Sequence, residues 1–159
     1  MRGSVDVHNY LIERDVPHEL FSARGRLRSP QRMAAVFGLR PREVGRVVIF
    51  EAGDEAVAAV VPSDGEPDPV LLAKAVRRPS VNKADLERAS TLTEFLAETI
   101  PPAGLPEDIT VVLDESLNRD DVLYFPGGEP RAVLKIRGTD LARATEAKVD
   151  EILFRWPGE

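Results

Sequence analysis

Thirteen prolines and eleven glycines are spread along the 159 residues, and they cut the chain into short elements. A proline lacks the N–H that helices and inner strands need, and it disfavours helical torsions in the residue before it. Residues 5–14 read as a first helix, with Val5, His8, Leu11 and Ile12 at helical spacing on one face. Asp15-Val16-Pro17 ends it, and residues 18–21 are a short extended piece. Ser29-Pro30 opens a second helix, with serine as N-cap and proline at the first helical position. Met33, Ala34, Val36 and Phe37 form its apolar face, and Gly38 stops it.

Two hairpins follow from the next signals. Residues 44–51 and 56–61 are β-branched and apolar, joined by Ala52-Gly53-Asp54. Later strands are expected over 109–113, 122–125 and 132–137, the last two separated by Pro126-Gly127-Gly128. Asp68-Pro69 starts a helix to about residue 78, apolar at Val70, Leu71, Leu72, Ala75 and Val76. A helix near 85–89 leads to Thr91-Leu92-Thr93-Glu94, which fits a capping box before Phe95-Leu96. Residues 100–106, holding Pro101, Pro102 and Pro106, read as a rigid loop. Thr139-Asp140 caps a short helix, and residues 149–156 end the chain. Helices and strands are mixed, and the hairpins argue against a purely parallel sheet. The expectation is one α+β domain spanning residues 1–159.

Composition removes several functions. With no cysteine, disulfides, thiolate nucleophiles and Cys-based zinc sites are excluded together. No apolar run approaches the ~20 residues of a membrane span. The opening Met1-Arg2-Gly3-Ser4-Val5-Asp6 holds no apolar signal core, so a cytoplasmic protein without membrane contact is expected. A net charge of −6 disfavours coating DNA. Seven arginines (24, 26, 28, 32, 40, 42 and 46) nevertheless stand against one acid, Glu43, between positions 24 and 46. That patch is either a solvated face or a local phosphate site, since arginine presents a planar fork to phosphate oxygens.

No nucleophile elbow, phosphate loop or dinucleotide fingerprint is present. His8 and His18 lie in different elements, which argues against zinc. Asp114-Glu115 and Asp120-Asp121 suit turns better than Mg²⁺ ligation, so no metal or cofactor is expected. Gly127-Gly128 either forms a plain hairpin turn or lets a backbone or ligand approach closely.

The order of these pieces resembles the YbaK / prolyl-tRNA-synthetase-associated editing domain family. The carrying residues are Asp15-Val16-Pro17-His18-Glu19-Leu20-Phe21, Phe37-Gly38-Leu39, the hairpin from Gly45-Arg46 through Val61-Pro62, and Leu71-Leu72-Ala73-Lys74-Ala75. They continue through Ala84-Asp85 to Thr93, then Val111-Val112-Leu113-Asp114-Glu115-Ser116-Leu117, Pro126-Gly127-Gly128 and Thr139-Asp140-Leu141 before a terminal helix. The resemblance implies a curved mixed sheet, nearly a barrel, with helices packed around it. It also implies hydrolysis of the ester of mischarged aminoacyl-tRNA, typically alanyl- or cysteinyl-tRNA(Pro), without a protein nucleophile. A ribose hydroxyl, a water or the substrate's own side chain attacks. A glycine-rich loop offers N–H groups to the ester carbonyl, and an early hairpin lysine positions the substrate.

Carried onto this chain, the lysine aligns with Arg46, which keeps the charge but cannot transfer a proton. The family's Thr-Gly-Tyr becomes Thr93-Glu94-Phe95, and its Gly-Gly-x-x-Pro-x-Gly loop becomes Glu98-Thr99-Ile100-Pro101-Pro102-Ala103-Gly104. The resemblance thus implies Arg46, Gly104 and Glu98 as catalytic positions, Glu98 either opposing an oxyanion or serving as general base. Pro102, Gly127, Gly128, Thr93 and Arg28 would shape the substrate site. The implied partners are the 3′ acceptor end of aminoacyl-tRNA and an aminoacyl-tRNA synthetase. The alternative is a degenerate relative that binds tRNA, a nucleotide-like ligand or another protein without turnover.

Overall fold

A computed structural model describes residues 1–27 and 29–155. The chain runs α1 (Ser4–Glu13), β1 (Glu19–Ser22), α2 (Pro30–Phe37), β2 (Gly45–Ala52), β3 (Glu55–Pro62), α3 (Pro69–Ala75), β4 (Asn82–Lys83), α4 (Leu86–Thr93), β5 (Thr110–Asp114), β6 (Val122–Pro126), β7 (Ala132–Arg137), α5 (Gly138–Thr145) and β8 (Lys148–Asp150). Single 3₁₀ turns stand at Pro41–Glu43, Ala97–Thr99 and Glu115–Leu117. The expected α+β class is what the chain adopts.

One sheet has the order β4-β2-β3-β5-β8 and the other β1-β7-β6. The hairpins β2–β3 and β6–β7 are antiparallel, whereas β3–β5 and β5–β8 run parallel. A parallel bridge between Val44 and Tyr124 joins the two sheets. They do not close into a barrel.

β3 explains its own unbroken apolar sequence. Ala56, Ala58 and Val60 enter a core with Ile49, Phe95, Leu113 and Phe125. Val57, Ala59 and Val61 enter another with Val48, Phe50, Leu72 and Ile152. A strand buried on both faces needs no alternation. A third cluster seats Met33 and Ala34 of α2 against Val44 and Val133.

The ends of α2 follow the sequence. The Ser29 hydroxyl accepts from the Arg32 N–H at 3.0 Å, and Gly38 closes the helix in the left-handed region. Four local expectations change. α1 buries Val7 and Leu11, one i, i+4 stripe, and leaves Val5 and Ile12 exposed. His8 instead meets His18, Nδ1 to Nε2, at 2.9 Å. Thr91–Glu94 is no capping box but the end of α4. Asp85 caps that helix by accepting from Arg88 N–H at 2.7 Å, and Glu94 closes it at φ +66°. α3 ends at Ala75 rather than near 78, with Arg77 at φ +56°. Thr139 and Asp140 lie inside α5, which starts at Gly138 and leads to strand β8 rather than a terminal helix. Expectations for Arg28 and Trp156 fall outside the described residues.

Candidate functional site

β2 carries Arg46 to the edge of a cavity of about 200 Å³. Val47, Val48 and Ile49 of the same strand line it, Lys83 comes from β4 and Ala84 follows it, Leu86 and Ala89 come from α4, and Pro30 and Gln31 from α2. Ala97, Glu98 and Ile100 form a further wall, with Pro126 beside them.

Arg46 is opposite Val61 in the hairpin register, so the turn leaving β3 brings Gly65 and Glu66 back over its side chain. Its Nε and Nη2 donate to the Gly65 carbonyl at 3.2 and 2.8 Å, and Nη2 reaches Glu66 Oε2 at 2.7 Å. The guanidinium is therefore fixed and locally neutralised, and its side chain is only 20% exposed. Nη1 has no partner among the described residues, which leaves two N–H donors for a ligand. The turn carrying Glu66 is itself anchored: Phe154 N–H donates to the Glu66 carbonyl and Asp68 N–H to the Ile152 carbonyl, both at 2.8 Å.

Glu98 sits in the 3₁₀ turn Ala97–Thr99, 56% exposed and 3.9 Å from Arg26 Nη2. It borders both the Arg46 cavity and an adjoining cleft with Arg26, Leu27 and Pro130. The Thr99 N–H donates to Leu96 O, whereas the Ala97 and Glu98 N–H groups have no acceptor among the described residues. Two residues with unused backbone donors and a fixed guanidinium thus line one cavity. Such an arrangement can receive a polarised carbonyl or an anionic oxygen.

The other expected residues fall elsewhere. Thr93 is fully buried; its hydroxyl donates to Ala89 O at 2.8 Å and accepts from Phe95 N–H at 3.2 Å. Gly128 lies at φ +96°, and a Cβ there would stand 2.9 Å from Phe95 Cε1. The N–H of Gly128 donates to Thr99 O, so the diglycine bend braces the Ala97–Thr99 turn from behind. Gly127 N–H closes the bend on Ala132 O. Pro102 and Gly104 line a different cavity, beyond the turn from Arg46, and share no wall with it. Gly104 is at φ +81° against Val7, and its carbonyl accepts from Arg2 Nη1. Arg28 is outside the described residues. Among the remaining cluster arginines, Arg40 pairs with Glu43 at 3.0 Å, and its hydrogen bonds hold that carboxyl below the usual range.

Glu66, Gln31 and Lys83 went unread in the sequence. Glu66 is twenty residues from Arg46, joined only by the returning turn. Gln31 donates to Ser63 O at 2.6 Å, tying α2 to that same turn. Lys83 lies on a two-residue strand that carries no periodic signal. No group of three metal-ligating side chains occurs among the described residues, and no helix there is long and apolar enough to cross a membrane.

The family model of the aminoacyl-tRNA editing domain matches residues 26–144, and the chain belongs to that family. Solved structures share the fold. Hypothetical protein APE2540 superposes with a TM-score of 0.87 at 24% identity, over 94% of this chain and 99% of that one. A candidate trans-editing enzyme for prolyl tRNA synthetase gives 0.84 at 21% identity, over 96% and 97%. A candidate signal transduction protein from Marinobacter aquaeolei VT8 gives 0.66 at 16% identity, where the match spans 95% of this chain but 31% of the larger one.

Proposed function

We propose that this editing domain acts in trans as an aminoacyl-tRNA deacylase, hydrolysing the ester of mischarged tRNA of the tRNA(Pro) type, in the cytoplasm. The observation that carries the reading is the Arg46 cavity, lined by a fixed guanidinium and by Ala97 and Glu98, whose N–H groups have no acceptor among the described residues. In this reading the 3′-terminal aminoacyl-adenosine enters the cavity, and Arg46 Nη1 holds its ester or ribose. The two backbone donors take the charge that develops on the carbonyl oxygen as water or a ribose hydroxyl attacks. No protein nucleophile and no cofactor is required. Pro102, Gly104, Gly127 and Gly128 act behind the wall by fixing the course of its chain, and Thr93 fixes its start. The exposed Arg26 stands beside the cavity where the preceding nucleotides would pass.

A second reading, tRNA binding without turnover, is favoured by one observation: the Glu98 carboxylate borders the wall where an oxyanion would form. Ester loss from alanyl-, cysteinyl- and seryl-tRNA on incubation with the protein tests the choice. Turnover that falls roughly 100-fold in Arg46→Ala supports the deacylase. Saturable, salt-sensitive tRNA binding without ester loss supports the binder, and neither signal points to a protein partner such as a synthetase. In the deacylase, Glu98→Gly keeps or raises the rate; a sharp loss instead makes Glu98 the general base for water.

A further inference from the structure

Beyond the proline-rich segment lies a second cavity, about 260 Å³, bounded by α1, residues 102–107 and the end of α5. Arg14, Tyr10, Glu107 and Glu146 supply its polar groups, and Leu105 and Ile109 its apolar wall. We propose that this cavity binds a free α-amino acid as its zwitterion. Arg14 takes the carboxylate, Glu107 and Glu146 the ammonium, and the apolar wall the side chain.

Three observations carry this. The Arg14 guanidinium is already oriented: its Cζ lies 3.6 Å over the Tyr10 ring, and Nη1 donates to the Tyr10 carbonyl at 3.1 Å. Nη1 also lies 3.9 Å from the exposed Glu13 carboxylate. Stacking and these Nη1 contacts leave Nε and Nη2, the edge that grips a carboxylate in two parallel bonds. Next, Glu107 and Glu146 have no side-chain hydrogen bond or ion pair among the described residues, so their acceptor oxygens remain open. Both carboxylates act on the Tyr10 phenol. Burial is the chief cause that raises its pKa; Arg14 opposes the rise, and Glu146 and Glu107 add to it. The positive and negative groups therefore surround one space.

The charge count selects the ligand. Glu107 and Glu146 line the cavity and Glu13 flanks Arg14 outside its lining, so carboxylates outnumber the guanidinium, disfavour a simple anion and leave an ammonium wanted. A simple amine would leave the Nε and Nη2 edge of Arg14 unmet. A molecule carrying both charges a short distance apart satisfies both sides, which is the α-amino acid pattern. The apolar wall suits an aliphatic side chain, and the volume admits a small one.

Calorimetric titration with L-alanine, L-proline and L-leucine tests this, with ethylamine and propionate as probes that each lack one charge. The expected result is binding of at least one amino acid with Kd on the order of 1 mM or tighter. Both single-charge probes should bind at least about tenfold more weakly, as should the amino acid to Arg14→Gln and to Glu146→Gln. Amide shifts at 104–107 and 144–146 should accompany binding, a readout that also shows the variants are folded. Absence of binding by every amino acid overturns the proposal. So does ethylamine or propionate binding as tightly as the amino acid, or binding that survives in both variants. None of these outcomes depends on deacylation, so the Arg46 cavity can be right while this one is wrong, and the reverse.

Discussion

The two cavities flank consecutive stretches of one segment, 97–107, yet they treat charge in opposite ways. In the first, Arg46 is held by Glu66 and by a carbonyl, so most of its donors are spent before any ligand arrives. In the second, Arg14 is held mainly by an aromatic face and only distantly by Glu13 at 3.9 Å, and the cavity-lining carboxylates Glu107 and Glu146 have no partner among the described residues. A guanidinium locked by a partner carboxylate contributes direction more than charge; one stacked on a ring keeps its charge available. The first arrangement suits a neutral ester carbonyl and the second an ionic ligand.

The largest effect should abolish the distinction. Phe95 is fully buried just before the shared segment and touches the diglycine bend that braces it. Phe95→Ala should cost about 3–5 kcal/mol in denaturant unfolding. Both cavities should loosen together, read as lost amide protection on each side. Arg46→Ala should affect one side only: deacylation kcat/KM should fall roughly 100-fold, with unfolding changed little and amide shifts confined to the first cavity. Glu66→Gln should cost less, roughly tenfold. It leaves the charge of Arg46 but releases its orientation, so kcat should fall more than KM rises, and Glu66→Asp should restore part of the rate. Equal losses in Glu66→Gln and Glu66→Asp, with unchanged kcat in both, would show that the pair does not position Arg46.

The sequence displayed the parts of this comparison unevenly. The β2–β3 and β6–β7 hairpins were readable because β-branched runs are bounded by residues with strong turn preferences. α2 was readable from Ser29, Pro30 and Gly38. β4 and β8 were not: two and three residues carry no periodic signal and become strands only by pairing with longer neighbours. The face of α1 was misjudged because Val5, Val7, Leu11 and Ile12 allow two stripes, and the packing partner chooses between them. Within the segment, positions six apart part company. Glu98 borders one cavity and Gly104 the other, because the stretch between them leaves its 3₁₀ turn at Thr99, passes the two prolines without regular structure and bends at 102–104. Spacing along a chain predicts shared sites only when the intervening backbone is regular. Glu66, joined to Arg46 across twenty residues, had no such regularity to reveal it.

The smallest effect is the most selective. Tyr10 donates its hydroxyl to Ala144 O at 2.9 Å, and burial, opposed by Arg14 and aided by Glu146 and Glu107, raises its pKa. A raised native pKa means the folded chain keeps this proton longer than the unfolded one. Its stabilising effect is whole below the ordinary tyrosine value, near ~10, and is lost as pH climbs through the raised native value. Phenolate absorbance should therefore show the Tyr10 step above the ordinary tyrosine range. Tyr10→Phe should remove that step and flatten the alkaline loss of stability, at a cost of about 1 kcal/mol for the missing hydrogen bond. Arg14→Gln takes away the opposing cation and should push the step higher, whereas Arg46→Ala should leave it in place. A Tyr10 step that moved with Arg46→Ala would mean that the two cavities are electrically one, and the contrast between a locked and a stacked guanidinium would fail.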